Sequence, residues 1–137
     1  MPGRQEVRQH IRLAHGFMGS ALIGDGCGEF EIRNALSRAY YALFHGCHAW
    51  LAVRNVPESK RKDREALFGQ VRSRRGEEYG ERLDEFWLWR KKADYDKPKL
   101  VEAGVFQGDW NKFRLSARVQ VSLMERELES YLSEVEN

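Results

Sequence analysis

Three prolines, at positions 2, 57 and 98, are the feature that most limits how this 137-residue chain can fold. Proline breaks helix interiors and cannot donate to a strand ladder, so the intervals 3–56, 58–97 and 99–137 are long stretches free of the strongest backbone interruption. Their composition favours helix. Leu, Ala, Glu and Arg number 55, whereas Val and Ile number 12 and Thr is absent, a balance of strong helix formers over β-branched residues. The expected fold class is all-α, an up-and-down antiparallel bundle of about five helices. The length suits one domain, residues 1–137.

Apolar spacing positions the helices. Val7, Ile11, Ala14 and Met18 recur every three or four residues and predict a first helix over 4–23, ended by Gly24, Asp25 and Gly26. A second is expected from Phe30 to Val53, with Ile32, Ala35, Ala39, Leu43, Gly46 and Trp50 along one seam and Leu36, Tyr40, Cys47 and Leu51 beside it. So wide an apolar surface predicts a central, buried helix with an excess left for pairing in a homodimer. A third, charged helix carries Ala66, Leu67 and Val71, with Ser59 as its expected cap. A fourth spans Glu77 to Tyr95, and a fifth starts at Asp109 and runs to about Val135.

No apolar run approaches the roughly 20 residues needed to cross a bilayer, so no membrane association is expected. The Arg and His residues scattered between Met1 and Leu22 exclude an export signal. Cys27 and Cys47 are too few for a disulfide framework, and the expected location is the cytoplasm. Net charge is only +2, but residues 54–92 hold 12 Lys and Arg against 8 Asp and Glu. Within that segment Arg61, Arg64, Arg72, Arg74 and Arg75 are candidates to follow an RNA backbone, although the acids between them fit an ordinary solvated face equally well. Trp87, Trp89 and Trp110 offer stacking surfaces for bases, and their spacing also suits a core.

The segment with chemical content is Ser37-Arg38-Ala39-Tyr40-Tyr41-Ala42-Leu43-Phe44-His45. Seven residues return a helix nearly to the same face, so Arg38 and His45 are two turns apart, about 10.5 Å along the axis. A permanent cation and a titratable imidazole on one face suit a phosphodiester. Tyr40 and Tyr41 read first as core and interface aromatics. His45 and His48 are three apart and could share a metal with His10 or His15, but no carboxylate is near in sequence, and neither metal nor cofactor is expected.

The segment resembles the HEPN domain family, small helical bundles marked by an Arg, four to six residues, and a His on an internal helix. Arg38 and His45 enclose six. Arg90-Lys91-Lys92-Ala93-Asp94-Tyr95-Asp96 is similar to the family's second signature, an Arg followed by Ala-Asp-Tyr, about 50 residues downstream. The resemblance implies a bundle that pairs with itself through the Arg/His helix and, in active members, cuts RNA without metal. Arg38 would then hold the phosphate and His45 would move the proton, with Tyr41, His48, Arg90, Asp94 and Tyr95 as auxiliary candidates. It also implies a toxin–antitoxin or defence setting, with a minimal nucleotidyltransferase as the antitoxin. Where ribonuclease members often carry a polar residue after the Arg and a Tyr two after the His, this chain has Ala39 and Cys47. An endoribonuclease and a non-catalytic nucleotide-binding or dimerisation module therefore both stay open.

Overall fold

The computed structural model describes residues 3–24, 28–95 and 110–135, with the side chains of 92, 94, 95 and 110–113 outside the described set. The described residues form five α-helices and no strands: α1 Arg4–Gly19, α2 Glu29–Val53, α3 Arg64–Arg75, α4 Glu77–Tyr95 and α5 Trp110–Leu132. A single 3-10 turn, Glu58–Lys60, links α2 to α3. The all-α expectation is met.

Helix α2 is the centre because both of its apolar seams are occupied. It packs against α1, α5, α4 and, less extensively, α3, while α3 pairs with α4. Ile32, Leu36, Leu43, Cys47 and Leu51 are almost wholly buried, and burial pushes the Cys47 thiol pKa up, so it behaves as a small apolar group. A Cβ added at Gly46 would overlap Leu128 of α5, so the lack of a side chain sets how closely these helices approach. The width of α2's apolar surface is thus taken up within one chain and does not by itself require a second copy. The large apolar side chains left exposed include Phe30 and Val53 at the two ends of α2, Leu13 on α1, Leu88 on α4 and Leu115, Val119 and Leu123 on α5.

Two boundaries differ from the sequence expectation. Helix α1 stops at Gly19, not residue 23, where the Ser20 hydroxyl donates back to the carbonyls of Phe17 (3.0 Å) and Gly16 (3.3 Å) and competes with continued helix. Helix α3 is capped by Asp63, which accepts from the Ala66 amide at 2.8 Å, because Ser59 is inside the 3-10 turn. Gly76, at φ 129°, then makes the sharp passage from α3 to α4. Asp109, expected to open the last helix, lies outside the described residues.

Candidate functional site

Spacings of three, four and three put Arg38, Tyr41, His45 and His48 on one stripe of α2. Helix α1 crosses this stripe in the opposite direction. Its Phe17 ring lies 5.8 Å from Tyr41 and 5.8 Å from His45, and its His10 ring lies 5.2 Å from His45 and 4.8 Å from His48. Three imidazoles from two helices therefore meet in one cluster. His10 Nδ1 and His45 Nδ1 share a hydrogen bond of 2.9 Å, and the His10 and His48 planes are stacked within 8°.

Beneath the imidazoles is a buried ion pair. Arg61, just past the 3-10 turn, is fully buried; its Nε donates to the Val56 carbonyl at 3.1 Å, one Nη to His48 Nδ1 at 2.9 Å, and the other to the Glu6 carboxylate. The same Glu6 oxygen is 3.7 Å from His10 Nε2. A buried guanidinium persists where a carboxylate and further acceptors compensate its lost hydration, as they do here.

Burial sets the protonation of the cluster. It lowers the pKa of His45 to about 4, with the neighbouring His10 adding to the effect. It lowers that of His48 to about 3, with His10, Arg61 and His45 contributing. His10 is lowered too, mainly by burial, against a partial opposing pull from Glu6. All three rings are neutral at pH 7 and act as hydrogen-bond acceptors at one nitrogen.

Arg38 is on the same stripe but in different surroundings. It is exposed and has no hydrogen bond or ion pair among the described residues. With Arg12, Leu13, Gly16, Phe17 and Ser20 it lines an open groove of about 440 Å³. Phe17 is common to both sites, one wall of the groove and the stacking partner of His45. An unpaired guanidinium beside an apolar wall suits an oxyanion.

The second sequence signature meets the first at Arg90, which is buried on α4 and donates from Nη2 to the phenol oxygen of Tyr41. Its guanidinium also lies 5.1 Å from the Tyr41 ring centre and 5.1 Å from that of Trp87. Tyr41 and Arg90 are therefore adjacent, and His48 lies in the imidazole cluster. Asp94 and Tyr95 are on the last turn of α4, with side chains outside the described residues.

The basic middle segment is otherwise engaged. Arg72 pairs with Asp84 at 2.7 Å and Glu77 at 3.0 Å, and Arg75 with Glu134 at 2.8 Å. Arg74 bonds Gln70 at 3.2 Å, and Arg64 covers Trp87 at 4.6 Å. With Arg61 buried as well, each cation that was a candidate for following RNA is engaged by an acid, an amide or an aromatic ring of the chain. Sequence reasoning missed Glu6, read Arg61 as a surface cation that could follow RNA, and took His10 only as a spare metal ligand. The available signal was Glu6, His10 and Phe17 at four- and seven-residue spacing on the flank of the α1 apolar stripe. Among the described residues no group of three or more His, Cys, Asp or Glu side chains is arranged to hold a metal ion, and no helix is long and apolar enough to cross a membrane.

Over 108 residues, 73% of this chain and 77% of the relative, the sequence is 34% identical to the protein named Putative toxin MJ0605 of Methanocaldococcus jannaschii, and it belongs to that protein's family. A 67-residue stretch is 31% identical to the UPF0332 protein PH1297 of Pyrococcus horikoshii, covering 47% of this chain and 44% of the relative. No family model matches the chain, and no solved structure matches it significantly.

Proposed function

We propose that the protein is a HEPN-type, metal-independent endoribonuclease acting as the toxin of a toxin–antitoxin or defence system. The observation that carries this is one stripe of α2 that presents an exposed Arg38, without a partner among the described residues, and, two turns on, a half-buried neutral His45 with one ring nitrogen already hydrogen-bonded. The relationship to a protein named as a toxin supports the setting. RNA carries its own nucleophile, so the chain need supply only a proton carrier and a cation.

In this mechanism Arg38 binds the scissile phosphate and neutralises charge building on its non-bridging oxygens. His45 takes the proton of the ribose 2′-hydroxyl, the 2′-oxygen bonds to phosphorus, and the bond to the 5′-oxygen breaks. The imidazolium then returns that proton to the departing 5′-oxygen, leaving a 2′,3′-cyclic phosphate and a 5′-hydroxyl. With a pKa near 4, His45 differs from the ordinary imidazole expected from sequence: it is almost all base at neutral pH, and once charged it is a strong acid. The pairing of two copies, with an antitoxin such as a minimal nucleotidyltransferase, completes the proposal.

One observation favours the alternative of a non-catalytic nucleotide-binding module: Phe17 stands between the Arg38 groove and the His45 ring. The deciding experiment incubates purified protein with single-stranded RNA, with and without EDTA. Cleavage that survives EDTA, gives 2′,3′-cyclic ends and is lost in His45→Ala supports the ribonuclease. Products with 3′-hydroxyl ends, or a need for divalent metal, sink it. Absence of cleavage together with nucleotide protection of Arg38 from arginine-modifying reagent supports the binding module.

A further inference from the structure

We propose that His10 is a positioning residue for His45: Glu6 holds the His10 proton on Nε2, so His10 Nδ1 accepts from His45 Nδ1 and leaves His45 Nε2 as the nitrogen that meets substrate. This rests on the ribonuclease reading for its consequence, but not for its geometry.

The argument is a count of donors. Arginine donates and never accepts, so His48 Nδ1, 2.9 Å from Arg61, must be an acceptor, and the His48 proton is on Nε2. Arg61 also donates to Glu6, whose same carboxylate oxygen faces His10 Nε2 at 3.7 Å. A carboxylate beside Nε2 favours the tautomer with the proton there. His10 Nδ1 is then a lone pair, and the 2.9 Å contact between the two Nδ1 atoms can be a hydrogen bond only if His45 supplies the proton.

Orientation is fixed by stacking as well as by the hydrogen bond. His10 lies flat on His48, and His45 lies parallel to Phe17, with an interplanar angle of 0°. The other groups facing this pair are His48 and Phe44 on α2, Arg61 beyond the turn and Glu58 within it, the last two through their charge on His10. When His45 gains its second proton, the positive charge faces His10, which is polarised by Glu6 behind it. This is the logic of a base oriented by a third group, with an imidazole placed between base and carboxylate.

The test has two arms. Nitrogen-15 NMR of the labelled full chain at pH 7 should show His45 protonated at Nδ1, and His10→Ala should convert it towards the Nε2-protonated form. Wild-type His45 carrying its proton on Nε2, or a tautomer unmoved by His10→Ala, would overturn the proposal whether or not the protein cuts RNA. In the kinetic arm His10→Ala should lower kcat about 10- to 100-fold with little change in KM, and His10→Asn, which keeps an acceptor, should restore part of it. Equal loss in both variants, with the fold intact by circular dichroism, would also overturn it. If wild type cuts no RNA, the ribonuclease reading fails and the NMR arm alone decides the positioning role.

Discussion

Arg90 donates to the hydroxyl of Tyr41, and this contact joins the two segments of α2 and α4 that carry sequence signatures. Arg90 is buried and Tyr41 half-buried, so the bond has limited competition from water. Tyr41→Phe should lower stability by roughly 1–2 kcal/mol, the usual result of removing one partner of a charged hydrogen bond. Urea denaturation measures it, and an unchanged midpoint would show that the contact contributes nothing.

Acid should destabilise the fold before carboxylates titrate. His45 and His48 have folded-state pKa values near 4 and 3, below the ordinary 6.5. Between those values and 6.5 the unfolded chain binds protons that the folded chain does not, so stability rises with pH through that window and levels off above about 7. The charged and titratable groups facing the two rings are His10 and Arg61, both of which contact Glu6, and the rings themselves. Going from pH 7 to pH 4 should remove on the order of 4–6 kcal/mol, about 3 from each ring less the solvent screening of the half-buried His45. Urea midpoints at pH 7, 5.5 and 4.5 check this, and His48→Asn should flatten the dependence.

Arg61 should be among the least replaceable residues. Arg61→Ala leaves Glu6 half-buried without its cation and opens a void under His48, and should cost about 3–5 kcal/mol. Arg61→Met fills much of the volume but not the charge, and its deficit relative to wild type separates packing from pairing. A loss below about 1 kcal/mol in Arg61→Ala would contradict the picture of a buried structural cation.

Arg38 is the converse case. Exposed and without a partner among the described residues, it should be replaceable by Ala with a stability change within about 0.5 kcal/mol. On the ribonuclease proposal the same substitution should slow RNA cleavage by about 10²-fold or more. A variant that loses stability and activity in proportion would make Arg38 structural instead.

Much of the fold was legible in sequence because it follows from local periodicity. Helix α2 begins after Gly28 and ends before Asn55, close to the glycine and Asn55–Pro57 breaks read from sequence, and its double seam of Leu36, Leu43, Cys47 and Leu51 is buried as read. What the same seam could not tell is who covers it, since spacing along one helix does not distinguish a neighbouring helix from a second copy. Arg38 and His45 were visible as one face by counting, whereas Tyr41 beside them read first as a core or interface aromatic. Glu6, His10 and Arg61 were not visible as a group, because their meeting depends on the angle at which α1 crosses α2 and on the path after Val56. Arg61 also sits in a run of cations that otherwise reads as solvated surface, and only tertiary contact separates it from Lys60 and Lys62.

Glu6, His10 and Phe17 all ride on α1, and α1 packs almost entirely on α2. The surroundings of His45 therefore exist only while one helix is docked, whereas the packing of α2 against α4 and α5 does not depend on it. Site assembly is in effect a docking equilibrium with its own free energy, which can be smaller than that of global unfolding. In native-state hydrogen exchange the α1 amides should open as one cooperative unit, earlier than those of α2, and each opening would return His45 to water and its pKa towards that of a free imidazole.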